Sequence, residues 1–157
     1  MTPAITLLKK KAIKHDILKY EHDSNAPSYG LEAVEKLSLP SDNVFKTLVV
    51  KDETGKLAVA LVPVNTRLSE KKLARALRVK KITMANGDAV TAATGYVLGG
   101  VSPIGQKKRL RTVIHESARR CDKMYVSAGR RGLEVAIAPD ELVKLVNAEL
   151  ADITVSD

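Results

Sequence analysis

The sequence predicts a single α/β domain, residues 1–157, in which a curved, mixed and largely antiparallel sheet carries helices packed on its outside. Three observations lead there. The chain has 157 residues, a length at which one core hides roughly 68–70% of the unfolded surface, and no repeat, low-complexity block or Pro/Gly-rich linker divides it. Predicted strands outnumber predicted helices. Several strands are joined by short hairpin-like turns, whereas a doubly wound parallel sheet needs a crossover helix between every pair.

The elements follow in order. From Thr2 to Lys11, Pro3 suits a first helical turn and Ile5 and Leu8 share one side, which predicts a short amphipathic helix. A strand is expected from His15 to Glu21. After Gly30, the apolar positions Leu31, Val34 and Leu37 recur at helical spacing and Pro40 marks the end. The runs VFKTLVV and LAVALVPV flank Lys51–Lys56, whose composition is that of a hairpin turn, and this pair is expected at the sheet's centre. Ser69 is placed to cap a helix from Glu70 to Arg78, with Leu68 and Leu73 as a hydrophobic staple. A strand at KITMA, a short helix from Asp88 to Thr94 stopped by Gly95, and the glycine-rich YVLGGVSPIG come next. Further strands are predicted at LRTVIH, KMYVS and LEVAIA, then a closing helix from Pro139 to Leu150.

Composition narrows the partners. Lys and Arg number 26 against 18 Asp and Glu, a net charge of +8, which favours a polyanion such as nucleic acid. The aromatic rings are Phe45 and Tyr20, Tyr29, Tyr96 and Tyr125, with no Trp. So few rings argue against a platform for a long run of unpaired bases, although one or two bases could be held. The single cysteine, Cys121, rules out an internal disulfide. The opening MTPAITLLKKK lacks the order of a signal peptide, and no run approaches the roughly 18 apolar residues of a membrane span. A cytoplasmic protein without a membrane partner is expected.

One residue in FKTLVV, from Phe45 to Val50, does not fit. Side chains alternate along a strand, so Val44, Lys46, Leu48 and Val50 share one face while Phe45, Thr47 and Val49 share the other. Both faces are mostly apolar, and a desolvated ammonium costs several kcal/mol unless it is paired or neutral. Lys46 therefore either snorkels to solvent or points into a polar cavity; the strand alone leaves both open. In GGVSPIGQKKRL, Gly105 is followed by Gln106 rather than Lys, so a phosphate loop is excluded, and with no G-x-G-x-x-G no dinucleotide cofactor is supported. What stands is that Gly99 and Gly100 let a ligand approach the backbone, or else form a bulge or bend that Pro103 stiffens.

Hydrolytic machinery is scarce. His115-Glu116 begins H-E-x-x-H, but position 119 is Arg, so a zinc site is absent and no metal is expected. Cys121 beside Arg119 and Arg120 reads as a half-buried cysteine before a nucleophile, and no serine stands in a G-x-S-x-G elbow. An enzyme of this sequence supplies little nucleophile of its own. Among the basic clusters, Lys107 to Arg111 directly follows the glycine bend, where it could hold phosphates leading into a pocket.

Taken together, TPAI at the start, FKTLVV, TGYVLGGVSPIGQKKR and YVSAGRRGLEVAIAP resemble the YbaK/EbsC family over essentially the whole chain. The resemblance implies a mixed α/β fold with a barrel-like sheet, related to the editing domain inserted in prolyl-tRNA synthetase. It implies a trans-editing deacylase that hydrolyses cysteine wrongly esterified to proline tRNA, without a cofactor. Its partners would be the aminoacylated 3′ end of that tRNA and prolyl-tRNA synthetase in a ternary complex. The family's essential lysine falls on Lys46, facing phosphate or ester oxygens of the terminal adenosine. Gly99 and Gly100, with Val101, Ser102 and Pro103, would form the wall nearest the ester carbonyl, and Ser127 with Gly129 the opposite rim. Tyr20 and Tyr29 match aromatic positions of the pocket, although phenylalanine is the expected residue at position 29. Thr47 adjoins the lysine but alternates to the other face. In such proteins the substrate's own thiol is thought to attack its ester, releasing a thiolactone. Two alternatives are a non-catalytic RNA-end or nucleotide binding module, and a deacylase for another small amino acid such as alanine.

Overall fold

Two faces of one hairpin organise the molecule. In the computed structural model, which describes residues 1–26 and 28–156, β2 (Phe45–Asp52) and β3 (Leu57–Pro63) pair antiparallel from Phe45 opposite Pro63 to Lys51 opposite Leu57. Side-chain alternation along β3 sends Val59 and Leu61 into one apolar cluster and Ala58, Ala60 and Val62 into another. Such a strand is covered on both faces and reads as a continuous apolar run.

Around it the strands form two sheets. The larger has the order β4-β2-β3-β5-β8, with β4 (Ile82–Met84), β5 (Arg111–His115) and β8 (Glu149–Ala151). The pairs β2–β3 and β2–β4 are antiparallel, while β3–β5 and β5–β8 are parallel. The smaller sheet is wholly antiparallel, β1-β7-β6, from β1 (His15–Lys19), β7 (Leu133–Ile137) and β6 (Met124–Arg130). A lone parallel bridge between Val44 and Tyr125 joins the edge of β2 to β6. The mixed, largely antiparallel α/β architecture is as expected. Among the described residues, however, the strands do not close into one ring; the hydrogen-bond ladder is interrupted between β2 and β6 beyond that bridge.

The main core lies between the sheets. Phe45, Leu61, Ile114, Val126, Val135 and Ile137 meet there with Ile5 and Leu8 of α1 (Pro3–Lys10) and Leu142 of α5 (Pro139–Val146). Helix α3 (Glu70–Leu77) covers the other face of the large sheet, setting Leu73 and Leu77 on Val50, Val62 and Val113. Its cap is as the sequence indicates: Ser69 Oγ accepts the Lys72 amide at 3.1 Å. Helix α4 (Gly87–Thr94) places Val90 beside Val49, Tyr96 and Val101, and stops at left-handed Gly95.

Three boundaries differ from expectation. Strand β1 ends at Lys19. Helix α2 spans Tyr29–Leu37, starting two residues early because Ser28 Oγ accepts the Leu31 amide at 3.4 Å. Helix α5 ends at Val146, not Leu150, and residues Glu149–Ala151 are a strand. Asn147 takes a left-handed conformation (φ 52°), and the Ala148 amide closes the turn on the Val143 carbonyl at 3.0 Å. The chain then joins the free edge of β5, where Arg111 pairs with Glu149 at 3.0 Å. Edge hydrogen bonds outweigh a helical pattern that local spacing favoured.

Candidate functional site

At the interrupted junction between the two sheets lies a cavity of about 500 Å³. Its floor is the start of β2, Phe45 to Leu48; one wall is Leu98, Gly99 and Val101; the other is Ser127 and Glu134 on β6 and β7. Tyr20, Ser28, Tyr29, Gly30, Arg130 and Arg131 rim it. The gap between sheets explains why four consecutive residues of one strand line it: this part of β2 has no laddered neighbour on that side.

Lys46 is half-buried, and its Nζ donates to the Thr66 carbonyl at 3.0 Å. Burial lowers its pKa, because the charged form loses solvent. The lysine lines the cavity, with its ammonium tied to a main-chain carbonyl. Thr47 also lines this floor, but its hydroxyl is shut off from solvent and has no hydrogen-bond partner among the described residues, an uncommon state in a folded chain.

Glu134 is the residue that sequence reasoning missed. Every position of β7 is buried, and Glu134, paired in register with Ser127 and Leu18, is 7% exposed. Burial raises its pKa to about 8, so near neutrality it is mostly a protonated, neutral carboxyl that can donate a hydrogen bond. No ion pair within 4 Å links it to Lys46 among the described residues. Burial also raises the Tyr20 phenol, against a backbone hydrogen bond from Gly132 that lowers it, and the Glu134 carboxyl pushes it further up. The signal was present in the sequence: LEVAIA, like FKTLVV, is an apolar strand interrupted by one charge.

The glycine segment divides between the cavity wall and packing. Gly99 has φ 89° and lines the cavity. Gly100 is buried, and its amide donates to the Val97 carbonyl at 3.0 Å, closing a turn. A Cβ there would lie 2.8 Å from the Arg130 Cα, so this glycine lets two backbones touch. Gly100→Ala is expected to destabilise by about 1–3 kcal/mol through overpacking, read as a lowered denaturant midpoint. Ser102 is fully buried and its Oγ accepts the Ile104 amide at 3.2 Å. Gly129 packs against Tyr96 and Thr2. Pro103 lines a different hollow, of about 310 Å³, with Lys11, Lys107, Lys108 and Arg109. Gly100, Ser102, Pro103 and Gly129 are therefore not among the cavity's lining residues, and the basic cluster after the bend faces a separate groove rather than leading into this pocket.

At the mouth, the Arg131 guanidinium lies over the Tyr29 ring, 3.7 Å from its centroid, and donates to the Tyr29 hydroxyl. The pair sits against the Gly99 turn, where a Cβ would come within 2.6 Å of Arg131 Nε and of Tyr29. Among the described residues, no cluster of three or more His, Cys, Asp or Glu side chains could hold a metal ion, and no helix is long and apolar enough to cross a membrane.

Residues 24–145 match the model of the aminoacyl-tRNA editing domain. The chain belongs to that family. It is 39% identical over 141 residues to an Enterococcus faecalis protein described as a Cys-tRNA(Pro)/Cys-tRNA(Cys) deacylase, EbsC, covering 88% of this chain and 85% of that one. A proline–tRNA ligase of Trichlorobacter lovleyi is 35% identical over 82 residues, 52% of this chain and 14% of the ligase. The fold of this editing domain matches a solved structure titled as a trans-editing enzyme for prolyl tRNA synthetase, with a TM-score of 0.82 at 22% identity, covering 99% of each chain.

Proposed function

We propose that this editing domain is a trans-acting aminoacyl-tRNA deacylase that removes cysteine from mischarged proline tRNA. The observation that carries the reading is one cavity holding a desolvated lysine, a neutral buried carboxyl and an open glycine turn, in a chain 39% identical to a protein named for this activity.

Size makes chemistry preferable to fit. Cysteine and proline are similar in size, and a pocket discriminates by only roughly 1–3 kcal/mol per methylene. A reaction that consumes the thiol rejects proline outright. In the proposed step, the cysteine sulfur attacks the carbonyl carbon of its own ester, forming a C–S bond in a cyclic thiolactone. The bond to the ribose oxygen breaks, and that oxygen leaves carrying the proton the thiol gives up. Water outside the enzyme then opens the thiolactone.

The chain's contributions are binding and electrostatics. Lys46 would exchange its Thr66 carbonyl for phosphate or ester oxygens of the terminal adenosine, so that its charge meets an anion in place of a neutral acceptor. The amides of Gly99 and Val101 flank the developing oxyanion; Gly100 is engaged in its turn. Glu134, as a neutral donor, would hold or protonate the departing ribose oxygen. Tyr20 and Tyr29 offer surfaces for the adenine or aminoacyl group, Ser127 offers a hydroxyl, and Thr47 lines the floor beside Lys46. A ternary complex with prolyl-tRNA synthetase would supply the tRNA identity that a cavity of this size cannot read, and such a site would belong in the cytoplasm, where tRNA is charged.

The test follows ester loss from cysteine-charged proline tRNA. Acceleration by catalytic amounts of protein is expected; protection from spontaneous hydrolysis at saturating protein would instead mark a binding module. Serine and alanine esters on the same tRNA should be released at least about tenfold more slowly. Equal rates for the alanine ester would replace the thiol route with attack by water.

A further inference from the structure

Beside the cavity stands a chain of contacts that the deacylation step leaves unused. Arg131 Nη1 lies 3.1 Å from His22 Nε2, and His22 Nδ1 lies 2.7 Å from Glu32 Oε1. Glu32 also accepts the Asp23 amide at 2.7 Å and pairs with Lys36 at 3.3 Å. A guanidinium only donates, so His22 Nε2 must accept, which puts the ring proton on Nδ1, facing the carboxylate. The Glu32 side chain is 3% exposed. Burial works against its charge, but hydrogen bonds from His22 and Asp23 and the Lys36 ammonium outweigh it, so its pKa is lowered and the group stays ionised. The chain of contacts has one orientation, from a fixed buried anion outward to an exposed cation.

Among the described residues that cation has no counter-ion within 4 Å. Neither Arg131 nor its neighbour Arg130 forms an ion pair within 4 Å among the described residues, yet both line the mouth of the cavity. Arg131 is held in place by neutral groups alone, the His22 ring and the Tyr29 face and hydroxyl. Part of its donor fork is thereby left to a ligand, directly above the Gly99 turn. Two arginines at the entrance without an ion-pair partner among the described residues, one of them oriented through a relay, suit an anion that accepts through two oxygens, as a phosphodiester does.

We propose that Arg131, with Arg130 beside it, is a clamp for the phosphodiester preceding the terminal nucleotide, and that His22, set by Glu32, is the residue that positions it. The inference rests on the reading of the cavity as a site for an RNA 3′ end. It assigns the linkage outside the cavity to the arginines and, of the two roles open to Lys46, leaves it the ester oxygens within.

The experiment compares equilibrium binding of the trinucleotide CCA with that of adenosine, which lacks the linkage. Arg131→Ala should weaken the trinucleotide roughly 10- to 100-fold and adenosine, which keeps its contacts inside the cavity, far less. His22→Ala should weaken it roughly 2- to 10-fold, and His22→Gln, whose amide oxygen can accept from Arg131, should restore most of that loss, which a merely structural histidine would not allow. Inorganic phosphate at millimolar concentration should compete with the trinucleotide on the wild type and not on Arg131→Ala; competition that persists unchanged would place free anion binding elsewhere. Unchanged trinucleotide affinity in Arg131→Ala, or an equal loss for adenosine, overturns the clamp. Deacylation of charged tRNA by the wild type is a separate readout: its failure with trinucleotide binding intact would sink the deacylase reading and leave the clamp standing.

Discussion

Lys46→Ala is expected to slow cysteine release from charged proline tRNA by roughly 10- to 150-fold. That range corresponds to losing one charge-assisted hydrogen bond of about 1.5–3 kcal/mol in the transition state. The fold should tolerate the change. Lys46 is only half-buried, its ammonium donates to the Thr66 carbonyl, and the burial that lowers its pKa is a cost the mutant no longer carries. Lys46→Met, which keeps most of the apolar stem and removes the charge, should be as inactive as Lys46→Ala and at least as stable. Single-turnover rates and denaturant midpoints on the same preparations separate the two effects. Wild-type rates in either variant would remove the lysine from the mechanism.

Glu134 governs the second large effect, on stability against pH. Its carboxyl titrates near 4.5 when exposed and at about 8 in the folded chain, so the folded state holds a proton that the unfolded state has released. The sign follows from linkage: stability from this group is fully present below about pH 4.5, declines as pH rises, and is lost once pH passes about 8. Over that window a shift of this size corresponds to roughly 5 kcal/mol at most. Glu134→Gln keeps the shape and a donor but cannot ionise. The variant should match the wild type at about pH 4 and exceed it at pH 9, the gap opening above about pH 4.5 and levelling off once pH passes about 8 in denaturant melts. Parallel stability curves for the two proteins would mean that the carboxyl is ionised or solvated when folded. If neutral Glu134 also serves the departing ribose oxygen, wild-type activity should fall above about pH 8 while the glutamine variant loses that dependence.

These two residues also show how much of the site could be read in advance. Both are single charges in otherwise apolar strands, FKTLVV and LEVAIA, and the physical oddity is the same. The lysine stands out because a strand with apolar residues on both faces cannot bury an ammonium without cause. The glutamate follows the basic turn Arg130–Gly132 and passes as the polar start of a strand. Gly100, by contrast, was legible as a special residue but not for its reason. Its neighbour meets the cavity with φ 89°, whereas Gly100 is needed because the Arg130 backbone passes at contact distance. The Arg131–His22–Glu32 relay joins residues 109 and 10 positions apart, and no local spacing announces such contacts.

What the sequence determined by itself was the set of elements and their chemistry: the hairpin, the capped helix at Ser69, the stop at Gly95, and an intrusive lysine. Those are local matters, set by alternation, capping and backbone freedom within a few residues. Only the tertiary structure decided that residues 149–151 become a strand, that the sheets part between β2 and β6 to leave a cavity, and which side chains meet inside it. Each depends on hydrogen-bonding edges and buried surfaces supplied by segments distant in sequence, and their energies exceed the local preferences they override.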